Sequence, residues 1–201
     1  MRTLIRPALA LILLFILVTG VAYPLAVTGL AGAILPFQAG GSLIKDAHGK
    51  VIGSVLIAQD FAAAGYLHPR GSAAGSGWDG ANSGATNLGP LDPKLAARVA
   101  RDAEALAKEN PGRPIPADAL TWSGSGLDPD VSPLNAAFQA PRIARTRGVR
   151  LDQVQAVIDA NTQGPLLGFI GQPRVNVLEV NRGLDALASP KTASGGPALR
   201  T

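Results

Sequence analysis

Two histidines, one aspartate pair and a run of serines set between glycines are the residues of this chain whose types and spacing could do chemistry. His48 stands in a predicted turn and His68 precedes a proline. Neither has a second ligand at metal-binding spacing, and both read as solvent-exposed loop residues. Asp128 and Asp130 flank Pro129, a spacing open to a calcium or acid–base site. The same spacing suits an Asx turn leading to Ser132, the reading adopted here. Ser125 has Ser123 two positions upstream, not the glycine that a nucleophile elbow requires. There is no G-x-x-x-x-G-K-S/T loop to cradle phosphates. The chain has no cysteine, which removes thiolate catalysis, disulfides and cysteine-ligated metals. No catalytic residue and no metal ligand follow from the sequence.

The elements that position these residues are legible from punctuation. Leu43–Lys45 and Val51–Ala58 flank Asp46-Ala47-His48-Gly49, which suits a type I turn, and the second arm is long enough for a central strand. Residues 65–91 are dominated by glycine, serine, alanine, asparagine and proline, a loop length that signals either function or disorder. Asp92-Pro93 opens a helix ended by Asn110-Pro111-Gly112, with Leu95, Val99, Ala103 and Leu106 on one face. Ser132-Pro133 repeats the device for a helix to about Thr146, which Pro141 is expected to kink. Leu151–Ala160 is a short helix, and Asn176 with Glu179 resembles a capping box for a last helix to about Leu187. Ser189–Thr201 reads as a disordered tail. The mixture of a hairpin with several helices predicts a mixed α/β (α+β) domain without regular βαβ alternation.

In front of that domain, no charged side chain occurs from Pro7 to Ile44. About 20 apolar residues suffice to cross a bilayer core of about 30 Å, so a single N-terminal transmembrane helix is expected. Its bounds are 8–35, with a core over about 8–28, preceded by a short cytoplasmic N-terminus at 1–7 and followed by a soluble domain at 36–188 and the tail at 189–201. Gly20 and Pro24 are expected to loosen or kink its outer end, and Tyr23 suits the interface. Arg2 and Arg6 predict a cytoplasmic N-terminus and therefore an extracytoplasmic domain, on the outer (periplasmic) face of the inner membrane. The alternative is a signal peptide cut after Gly20-Val21-Ala22, which would release a secreted binding protein or hydrolase. The apolar run through Phe37 and the adjacent Pro24 favour the uncut anchor. Arg2 and Arg6 are two of the 18 basic residues, leaving 16 against 14 acidic ones beyond Ile44. That near balance gives no basic patch for nucleic acid, despite a sequence pI of about 9.9.

Five collinear segments carry a family resemblance. They are the anchor ending in Tyr23-Pro24-Leu25; Gly65-Tyr66-Leu67-His68-Pro69-Arg70-Gly71-Ser72-Ala73; Ser83-Gly84-Ala85-Thr86-Asn87-Leu88-Gly89-Pro90; Ser123-Gly124-Ser125-Gly126-Leu127-Asp128-Pro129 with Ser132-Pro133, Gln139, Arg142 and Arg147-Gly148; and Gly171–Asn181 closing on Leu184-Asp185. The chain resembles the C subunit of the Kdp potassium-transporting ATPase over nearly its whole length to about residue 188. It departs from that pattern with Leu67 for phenylalanine, Gly71 for proline, Ala85-Thr86 for Gly-Ser, and Arg182-Gly183 in a usually apolar stretch.

The resemblance implies a non-catalytic subunit of a high-affinity, ATP-driven potassium importer. Its partners would be a channel-like potassium-translocating subunit, a P-type ATPase subunit, a small single-helix subunit and the lipid bilayer. It implies no cofactor of the chain's own: ATP and Mg belong to the ATPase subunit and K+ to the channel-like one. The family is described as a catalytic chaperone that raises ATP affinity, and its soluble domain as lying over the potassium entrance. With the N-terminus inside, the ATP effect is expected to be indirect; a direct nucleotide-binding chaperone on the cytoplasmic side is the alternative. Nucleotide-site candidates by resemblance are Ser83, Asn87 and Gln139. Candidates for partner contact are Arg70, Ser72, Asn87, Ser125, Asp128, Arg142, Asn176 and Asn181, each of which could equally tie a loop within the domain.

Overall fold

The computed structural model describes residues 2–188; the tail expected at 189–201 lies outside them. As expected, an N-terminal apolar helix is followed by a mixed region of helices and short strands. The chain divides into two compact units, Met1–Ser54 and Val55–Thr201.

In the first unit, α1 (Arg2–Leu17) and α2 (Tyr23–Ile34) are joined by a π-helical turn at Val18–Ala22. Leu4–Ile34 is thus a 31-residue helix, long and apolar enough to cross a membrane. The loosening expected at Gly20 and Pro24 takes the form of this turn. Pro24 has no N–H to donate and its ring crowds the carbonyl four residues back. The ladder widens just before it, with the Tyr23 N–H reaching back to the Val18 carbonyl. A one-turn α3 (Pro36–Ala39) leads to the hairpin of β1 (Leu43–Lys45) and β2 (Val51–Ser54). The Gly49 N–H donates to Asp46 O at 3.0 Å, closing the expected turn.

The second arm of that hairpin stops at Ser54, not Ala58, and it is not a central strand. β1 offers no residue beyond Leu43, the partner of Ser54. Val55 and Ala58 bond elsewhere instead: Val55 O accepts from Asn176 Nδ2 at 3.0 Å and the Ala58 N–H donates to Leu127 O at 2.9 Å.

In the second unit, α4 (Pro93–Glu109) is capped by Asp92, whose carboxylate accepts from the Lys94 N–H at 2.8 Å. Its apolar face, Leu95, Val99, Ala103 and Leu106, is only half buried. After a single turn α5 (Ala117–Leu120), β3 (Asp130–Val131) leads into α6 (Pro133–Arg147). Ser132 caps α6 by accepting from the Asn135 N–H at 3.0 Å, and Gly148 ends it with φ 66°. The helix runs unbroken through Pro141. The carbonyl that Pro141 leaves without its helical donor, Ala137 O, is met by the Arg113 guanidinium at 3.4 Å.

α7 (Leu151–Ala160), β4 (Thr162–Gln163), β5 (Arg174–Asn176) and α8 (Val177–Ala188) complete the unit. The strands form an antiparallel sheet of order β3-β5-β4, which the sequence reading did not anticipate. Half of the expected capping box is present, since Asn176 Oδ1 accepts from the Glu179 N–H at 3.2 Å. Glu179 pairs with Arg182 at 2.7 Å, so Arg182 faces solvent and the opposite face of α8 is buried through Val177, Val180 and Leu184. These residues join Ile143, Val154, Ile158 and Val175 in one core, into which the loop residue Leu67 inserts.

Candidate functional site

The glycine-rich loop of residues 65–91 has neither helix nor strand, yet side chains of α6 and α8 hold its first stretch. Asn181 Oδ1 accepts from the Leu67 N–H at 2.7 Å and Asn181 Nδ2 donates to Leu67 O at 2.9 Å. Gln139 repeats this one residue on: Oε1 accepts from the His68 N–H at 2.9 Å and Nε2 donates to His68 O at 3.1 Å. Two primary amides therefore act as short strand partners, which a buried backbone requires. The Arg142 guanidinium donates to Tyr66 O at 3.0 Å, to Ala64 O and to Gln139 Oε1 at 2.7 Å, and pairs with Glu109 at 3.1 Å. Burial is the main reason its pKa falls below the usual arginine value.

A second set of ties crosses from the loop to Trp122–Asp130. Arg70 pairs with Asp128 at 2.7 Å and donates to Thr121 O at 3.0 Å and Trp122 O at 3.2 Å. Ser72 Oγ donates to Gly126 O at 2.6 Å and accepts from the Trp78 N–H at 2.8 Å. Gly126 has φ +70°, and a Cβ there would stand 2.7 Å from Ala74 Cβ and Gly84 O, so conformation and space both demand glycine. Asp128 Oδ1 accepts from the Asp130 N–H at 3.1 Å, which is the Asx turn expected. Asp130 in turn meets Asn176 Nδ2 at 3.1 Å and Arg174 at 3.1 Å; burial, outweighing these partners, raises its pKa.

The candidate residues thus fall into two groups. Arg70, Ser72, Asp128, Gln139, Arg142, Asn176 and Asn181 all bond within the unit. Ser83, Asn87 and Ser125 are exposed. Ser83 Oγ donates to Ser125 O at 2.9 Å on the rim of a shallow depression of about 560 Å³ that Asp128 and Leu56 also line. Asn87 stands in a left-handed conformation, φ 52°. Gln139 lines a different cleft from Ser83, so the three nucleotide-site candidates are not gathered in one depression. His48 is exposed as expected. His68 is not: it is half buried, and burial, then the nearby Arg142 charge, lowers its pKa.

A further surface feature had no counterpart in the sequence reading. Between β4 and β5 the segment Pro165–Gly171 forms a tight hairpin, in which Leu166 and Ile170 exchange two N–H to O bonds of 2.9 Å. Leu166, Leu167 and Phe169 at its tip are 67%, 76% and 77% exposed, and Ile170 is 49% exposed. No charged residue occurs from Asn161 to Pro173. The available signal was an apolar run, Pro-Leu-Leu-Gly-Phe-Ile between Gly164 and Gly171, that fits neither helix nor strand periodicity.

Comparison with known proteins agrees with the segments quoted above. A family model described as "KdpC: K+-transporting ATPase, c chain" matches residues 5–186. A potassium-transporting ATPase KdpC subunit of Caulobacter sp. (strain K31) is 62% identical over 192 residues, covering 96% of this chain and 98% of the relative. A KdpC subunit of Caulobacter vibrioides (strain NA1000 / CB15N) is 61% identical over 186 residues, 92% of this chain and 94% of the relative. One from Myxococcus xanthus is 53% identical over 174 residues, 86% of this chain and 82% of the relative. The chain belongs to the KdpC family, the C chains of potassium-transporting ATPases.

Proposed function

We propose that this chain is a non-catalytic subunit that assembles the potassium-transporting complex and covers the outer potassium entrance of its channel-like subunit. The observation that carries this reading is the preformed apolar hairpin Leu166–Ile170. Its backbone bonds are already made, so little ordering entropy opposes docking, and each large apolar side chain buried contributes about 1.5–3 kcal/mol. The exposed Ser83, Asn87 and Ser125 offer polar groups for the same purpose, while Gln139, Arg142 and Asn181 hold the loop of residues 65–91 that carries the first two.

In this reading Leu4–Ile34 spans the membrane with Arg2 and Arg6 inside. Residues 55–188 then lie outside, away from ATP. ATP and Mg stay with the P-type ATPase subunit and K+ with the channel-like subunit, and any effect on ATP affinity passes through the assembled membrane helices. The small single-helix subunit and the lipid bilayer are the remaining neighbours.

Two measurements test the proposal. Phe169→Asp and Leu167→Asp, both at exposed positions, should leave the thermal unfolding of the full chain unchanged while abolishing its co-purification with the partner subunits. Undiminished co-purification would remove the hairpin as a docking element. Protease added to right-side-out vesicles should cleave within 55–188. Cleavage only in inside-out vesicles would overturn the orientation and point to the cytoplasmic nucleotide-binding alternative.

A further inference from the structure

A second concavity, independent of the docking hairpin, lies between the loop of residues 60–78, α4 and α6, with a volume of about 510 Å³. Its walls include the indoles of Trp78 and Trp122 and the ring of Phe61, and three carboxylates line it, Asp60, Asp102 and Glu109. None of its lining residues is lysine or arginine. Glu109 is matched by Arg142 at 3.1 Å. Asp102 Oδ2 accepts from Trp122 Nε1 at 3.1 Å, and its other oxygen lies 3.5 Å from Arg101, an arginine whose side chain is 71% exposed. Asp60 is exposed and, among the described residues, has neither hydrogen bond nor ion pair. The lowered pKa of His68 keeps that ring neutral near pH 7 and adds no positive charge. Trp122 already attracts one cation, the Arg98 guanidinium 4.8 Å above its ring.

The cleft thus joins aromatic walls to one carboxylate, Asp60, that no cation pairs with among the described residues, a combination suited to a cation carrying apolar surface. An inorganic cation has no apolar stem to bury against indole walls, and an anion would meet Asp60 and Asp102. We propose that this cleft binds a small organic cation, an alkylammonium whose charge lies beside Asp60 and Asp102 and whose stem packs on Trp78, Trp122 and Phe61.

The chain has two tryptophans and both line this cleft, so the intrinsic indole fluorescence of the full chain in lipid nanodiscs reports on it alone. Titration with butylammonium chloride should give a saturable change that potassium chloride, sodium butyrate and 1-butanol do not reproduce. Asp60→Asn should weaken the apparent affinity about threefold, and Asp60→Asn with Asp102→Asn about tenfold, each with unchanged thermal unfolding. The amide oxygen introduced by Asp102→Asn still accepts from Trp122 Nε1, which keeps the wall in place in the double variant. A linear, unsaturable change, an equal response to 1-butanol or potassium chloride, or an affinity indifferent to both substitutions would overturn the proposal.

Discussion

Asn181 and Leu67, 114 positions apart, exchange two hydrogen bonds in the core of the domain, at 2.7 and 2.9 Å. Both residues are almost wholly buried. Replacing Asn181 by leucine would strand the Leu67 N–H and C=O with no water to turn to. A loss of about 2–6 kcal/mol is expected, from about 1–3 kcal/mol for each stranded group, measured by denaturant unfolding of the full chain. A loss below about 0.5 kcal/mol (about a tenth of typical domain stability) would mean that the loop is not anchored there.

Gly71 lies against Trp122 so closely that a Cβ would stand 2.3 Å from the indole nitrogen. Gly71→Ala should therefore destabilise by about 1–3 kcal/mol through overpacking. The cost should shrink in a Trp122→Leu background, so a double-mutant cycle should give a coupling of at least about 0.5 kcal/mol. Strict additivity would rule out the contact.

Acid should weaken this domain through His68. Its folded pKa lies below the ordinary 6.5, because burial and the Arg142 charge disfavour the imidazolium. The unfolded chain then binds the extra proton first, and stability falls as pH drops from about 6.5 through the folded value. Asp130 acts in the opposite sense further down, since its raised pKa makes protonation of the folded form favourable above 3.8. His68→Gln should flatten the stability profile between about pH 7.5 and 5.5. Thermal unfolding across that range checks it, and an unaltered slope in the variant would assign the acid sensitivity elsewhere.

Arg70 reaches three acceptors at once, Asp128 Oδ2, Thr121 O and Trp122 O. A lysine ammonium is a point donor without the planar fork. Arg70→Lys should keep the charge yet cost about 1–2 kcal/mol, whereas a purely electrostatic role would leave the melting temperature unchanged.

What the sequence disclosed follows the range of the interactions. Asp92, Ser132 and Asn176 were legible as caps because cap chemistry acts over two or three residues. The Asx turn at Asp128 was legible for the same reason. The sheet β3-β5-β4 was not, because strands of two or three residues are too short to show alternation and their partners lie far along the chain. The amides Gln139 and Asn181 stood out as polar residues on helices. Their targets, the consecutive backbone units of Leu67 and His68, exist only once α6 and α8 have packed. His68 was placed in solvent because a His-Pro pair in a polar loop gives no sign of the Ala63 carbonyl that its ring meets or of the nearby Arg142 charge.

The π-helical turn at Val18–Ala22 sets the angular phase between the two halves of the apolar helix. An α-helix advances about 100° per residue and the wider turn takes up one residue without that advance, so rewinding Val18–Ala22 as α-helix would rotate Tyr23–Ile34 by about that angle against Arg2–Leu17. A seam of side chains running straight along both halves would then be broken into two stripes on different sides. The anchor is thus more than a hydrophobic plug: it encodes a rotational setting, and helices that pack against it must match that setting above and below residue 20.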